Sequence, residues 1–136
     1  FSQKSRRVSL VVPALAMLAF IINPIGRSVW QYSLLWLIPI ACSFFNGKSL
    51  LVRSLGATFT AHAVGGAAWV WAFGLTREIW LGLIPVVLVE RALMALGIAL
   101  SYVVVNNVLG LLTKREIVNA GAFVSQRYLV KGLRAQ

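Results

Sequence analysis

The chain has 136 residues and a formal net charge of +10; 60% of its residues are hydrophobic and only 12% are charged. A soluble domain carries roughly a quarter charged residues to cover its surface, so an ordinary water-surrounded globule is excluded and lipid becomes the solvent for most of the surface. The basic residues flank apolar runs and form no basic domain of their own, which excludes a nucleic-acid-binding module and points to anionic lipid headgroups.

In chain order, the opening "FSQKSRRVSLVVPALAMLAFII" has the basic-then-apolar order of a secretory signal. It ends at the breaker Asn23-Pro24 of "NPIG" and not at a small-x-small cleavage site, so it reads as a retained first span that runs from Val8 to Ile22 or extends to Ile25, about 8–25. A second apolar stretch covers 28–46 and closes on the turn dipeptide Asn46-Gly47. Its lone Cys42 reads as a small core residue, with no second cysteine for a disulfide. The third stretch covers 50–75. The fourth, 79–112, exceeds the roughly 20 residues that an upright helix needs to cross a bilayer. Pro85 offers two solutions: an interfacial 79–84 followed by a span that starts at the proline, or a kink through it. After residue 112 comes the basic tail "TKREIVNAGAFVSQRYLVKGLRAQ", read as a loosely structured cytoplasmic segment lying on headgroups.

The expected fold is therefore an all-α integral membrane bundle of about four transmembrane helices (1–112) with a basic tail (113–136). Both termini are placed in the cytoplasm. Lys4, Arg6, Arg7, Lys48, Arg53, Lys114, Arg115, Arg127, Lys131 and Arg134 then lie inside, with only Arg27 and Arg77 outside. In that topology Trp30, Trp36, Trp69, Trp71 and Trp80 all fall in the outer half, as an interfacial belt or an aromatic mouth. The expected location is a plasma or inner membrane.

Glu90 and Arg91 sit within "LIPVVLVERALMALGIALSYVVV", where a charge at the bilayer centre costs about 2.5–3.5 kcal/mol. Neighbours in sequence diverge round a helix, so each is expected to meet a different partner and not the other. Ser101 and Tyr102 follow eleven positions later, about three turns on, and extend a polar wedge down the same helix. His62 is the single histidine, on a stripe that also holds Ser54 and Thr58. It reads either as a hydrogen-bonding residue in a helix contact or as a partner of Glu90 in a relay. Ala57, Ala61 and Gly65 form an adjacent small-xxx-small row expected to pack helices closely.

No nucleotide loop, nucleophile elbow, paired carboxylates or zinc motif is present, so an enzyme is not expected; no metal is called for, and no particular cofactor is specified. The expected function is the membrane component of a small-molecule transport system with a buried Glu/Arg/His site. The alternative is a non-catalytic accessory or assembly subunit of a larger membrane complex, homo- or hetero-oligomeric. A small apolar chain with Gly/Ala-rich helices and outer aromatics resembles, in these general features, the substrate-binding membrane components of energy-coupling-factor vitamin transporters. Their Ala-x-x-x-Ala coupling motif is missing from "VVPALAMLAF", so no residue role carries over.

Overall fold

A computed structural model describes residues 3–45, 49–117 and 123–133. Those residues are helical or irregular, with no strand among them. The elements are α1 (Gln3–Ile22), α2 (Pro24–Ser28), α3 (Trp30–Ser33), a 3-10 turn (Leu34–Trp36), α4 (Leu37–Phe44), α5 (Leu50–Ala72) and α6 (Arg77–Lys114). Two further 3-10 turns follow, Gln126–Tyr128 and Lys131–Leu133. The chain divides into two compact units, residues 1–96 and 97–136.

Asn23 ends α1 and starts α2. Its side-chain oxygen accepts from the Ile25 and Gly26 backbone N–H groups at 2.9 and 3.4 Å, and Pro24 occupies the first helical position, where no N–H is needed. The Asn23 amide also donates to the Val70 carbonyl at 3.3 Å, tying this turn to the end of α5. Gly26 is required where the chain doubles back, since a Cβ there would collide with the Phe20 carbonyl.

The stretch 28–46, expected as one helix, is broken into short pieces over its described residues, 28–45; the turn read at Asn46-Gly47 lies outside the described residues. Val29 leaves helical geometry (φ −123°, ψ 36°), and Ser33 turns its hydroxyl onto the Trp30 carbonyl at 2.7 Å. Pro39 cannot donate and would clash with the carbonyl four residues back, so regular helix restarts only at Leu37, leaving the proline in its first turn. Pro85, by contrast, lies inside α6, which is one helix from Arg77 to Lys114.

The first unit is built on α1 against α5, with the broken segment beside them. Ala16 and Phe20 from α1 meet Ala63, Ala67 and Val70 from α5 in a core shared with Tyr32, Trp36 and Phe59. Trp71 clips the pair together by donating its indole N–H to the Ala19 carbonyl at 3.0 Å. The packing row on α5 differs from the expected one: Ala57, Ala61 and Gly65 are all exposed, and Ser54, Thr58, Ala63, Gly66, Ala67 and Val70 face inward. Gly66 admits the Trp36 ring, which would lie 2.8 Å from a Cβ, whereas Gly65 has nothing within 4 Å.

Among the described residues one helix, α6, is long and apolar enough to cross a membrane; the apolar part of α1, Arg7–Ile22, is shorter. Most side chains of its apolar stretch are exposed, Val86, Val89, Leu93, Leu100 and Val104 among them.

Candidate functional site

The α6 residues of the first unit show why Arg91 lies where it does. Trp80, Ile84, Val87, Arg91 and Ala95 recur at helical spacing, and burial follows that row. Arg91 is thus on the packed side of α6, with 17% of its side chain exposed. Glu90, about 100° round the helix, is on the open side and 53% exposed. The two nevertheless pair: Arg91 Nη2 donates to Glu90 Oε1 at 2.9 Å. This corrects the expectation that sequence neighbours would not meet: the arginine side chain is long enough to reach a carboxylate one position back, and the residues at helical spacing round Glu90, Val86, Val89, Leu93 and Met94, are exposed and apolar.

On the inward side, the Tyr32 hydroxyl and His62 Nε2 are hydrogen-bonded at 3.0 Å, and both lie within electrostatic reach of Arg91 and Glu90. α5 supplies the histidine and α3 the tyrosine. Around them is a nest of aromatic rings. Tyr32 meets Trp80 at 4.8 Å and Trp36 at 6.3 Å, both edge-on, and Phe20 meets Trp36 at 5.1 Å and Trp80 at 5.3 Å. Edge-to-face packing suits the ring quadrupoles and rigidifies the nest.

Within this unit, Trp36 Nε1, Trp80 Nε1, Arg91 Nε and Gln31 Oε1 are buried and have no hydrogen-bond partner. A buried polar group without a partner costs about 1–3 kcal/mol, so each is an unused recognition element as well as a liability.

The five tryptophans divide into two sets. Trp30, Trp69 and Trp71 are exposed, while Trp36 and Trp80 are fully buried in the nest. Ser101 and Tyr102 fall in the second unit, where both are exposed and the Tyr102 ring stands edge-on to Tyr128 at 5.6 Å. Sequence reasoning missed Tyr32, since a tyrosine in "WQYSLLW" reads as part of an interfacial belt; only the neighbouring histidine from a remote helix marks it. Among the described residues no three His, Cys, Asp or Glu side chains gather as a metal set. No protein-family model, curated protein or solved structure matches the chain.

Proposed function

We propose that this chain is an integral component of a larger membrane assembly, held to its partner through the open face of α6. The observation that carries this reading is the position of Glu90, half exposed among apolar side chains that are themselves exposed. Such a helix surface is at home in lipid, but a carboxylate on it is not, even when paired with arginine. A partner helix offering a hydrogen-bond donor or a cation would relieve that cost. If the membrane begins near Trp80, Glu90 lies about 15 Å deep, close to the bilayer centre.

In this reading the chain crosses the membrane four times with both ends cytoplasmic. α5, of 23 residues, is about 35 Å long, which is sufficient. One side of the broken segment, Val29, Tyr32, Leu35 and Trp36, packs in the core with α1 and α5, the kind of cover that broken segments in membranes need. Anionic headgroups meet the basic ends.

A second reading, the membrane component of a transport system, is favoured by two polar pairs in the first unit, Tyr32–His62 and Arg91–Glu90, and by the buried indole N–H groups of Trp36 and Trp80 that have no partner. Native-state mass measurement of the detergent-solubilised protein separates the two. The assembly reading expects wild type to run with other chains and Glu90→Gln or Arg91→Gln to release them. A monomeric wild type whose variants keep its mass refutes it and leaves the transport reading.

A further inference from the structure

Within the second unit, residues 125–132 are held against α6 by two asparagines and a lysine. Asn106 accepts the Ser125 N–H at 2.7 Å and donates to the Ser125 carbonyl at 3.1 Å. Asn107 accepts the Val130 N–H at 2.8 Å and donates to the Tyr128 carbonyl at 2.9 Å. Each carboxamide therefore grips the backbone of the returning segment through both a donor and an acceptor, as a strand edge would. Gly110 opens the space that Leu129 fills, because a Cβ there would be 2.6 Å from Leu129 Cδ2. Lys114 completes the clasp by donating Nζ to the Gly132 carbonyl at 2.9 Å. Residues 125–132 run along α6 from Asn106 to Lys114, not loosely as the composition implied.

The clasp gathers like charges. It bonds Lys114 to Gly132, the residue after Lys131, with Arg115 at the helix end and Arg127 over the Tyr128 ring at 5.7 Å; Glu116 is the one acid among the described residues of this unit. Exposed Phe123, Val130 and Ile117 accompany the cations. Gathering cations and bare apolar side chains is unfavourable in water and favourable in an anionic headgroup layer.

We propose that Asn106 and Asn107 preform residues 125–132 as a docking face for anionic phospholipid, so that the clasped state, and not a peeled tail, is the one that binds headgroups. This rests on the reading that the chain is membrane-embedded. Thermodynamic linkage then requires anionic lipid to tighten the clasp.

The test is residue-resolved hydrogen exchange of the full chain in bilayers of phosphatidylcholine alone and with phosphatidylglycerol added, after an alkaline carbonate wash. Exchange at Ser125 and Val130 is expected to slow about 30-fold with the anionic lipid, which corresponds to about 1 kcal/mol for each of Arg127 and Lys131. The variant Lys131→Gln, which leaves the Arg127–Tyr128 contact in place, should keep wild-type exchange in neutral lipid and cut the lipid effect to about 5-fold. Unchanged or faster exchange in anionic lipid overturns the proposal, as does a full lipid effect in the variant. Release of the chain by carbonate overturns the membrane reading on which it stands, a distinguishable outcome.

Discussion

Gly65 and Gly66 are adjacent on α5 and should respond oppositely to alanine. Either substitution removes the conformational cost of a helical glycine, a gain of about 1 kcal/mol. At Gly65 nothing lies within 4 Å of the new Cβ, so the gain stands alone. At Gly66 the Cβ would approach Trp36 Cζ2 at 2.8 Å. That ring is fully buried and braced by Phe20 and Tyr32, so it cannot swing clear, and overpacking of this kind costs about 1–3 kcal/mol. Gly66→Ala should therefore be less stable than Gly65→Ala by about 1–3 kcal/mol. Unfolding in mixed micelles at rising dodecyl sulfate, followed by near-ultraviolet dichroism of the tryptophans, measures the difference. In a Trp36→Phe background the gap should shrink, since the atom responsible is gone. Equal stability of the two variants, or a gap that persists without the indole, would refute the reasoning.

Trp80→Ala should cost about 3–5 kcal/mol as a buried-aromatic deletion, while exposed Trp30→Ala stays within about 0.5 kcal/mol, both read by the same unfolding assay. Tyr32→Phe should lose about 1 kcal/mol and move the ring-nitrogen resonances of His62; unchanged nitrogen shifts would contradict the Tyr32–His62 bond. Asn23→Ala removes a helix cap and the tether to Val70 together, for a loss of about 1–3 kcal/mol. Asn23→Ser should recover the capping share, and a serine variant no better than alanine would show that the cap contributes nothing.

The breaks in the chain were legible where they rest on local chemistry. Asn23-Pro24 ends one helix and begins another because the cap and the imino acid act within four residues. The broken course of 28–46 was not legible, although Pro39 was visible. A proline can end, kink or open a helix, and its surroundings choose which: α4 restarts just before Pro39, while α6 runs through Pro85. Composition likewise singled out Glu90, Arg91 and His62, since polar groups are scarce in an apolar chain, yet periodicity could not say which way they face.

Amino-acid order alone determined that the chain is helical and apolar, where its breakers lie, and which few polar residues stand out, because these follow from backbone chemistry and solvent transfer. Tertiary structure decided the rest. It turned Gly66 rather than Gly65 inward, buried two of five tryptophans, joined Tyr32 to His62 and folded the tail onto Asn106 and Asn107. Each of those depends on a rotation of about 100° per residue about a helix axis, and only the neighbour packed against that helix fixes it.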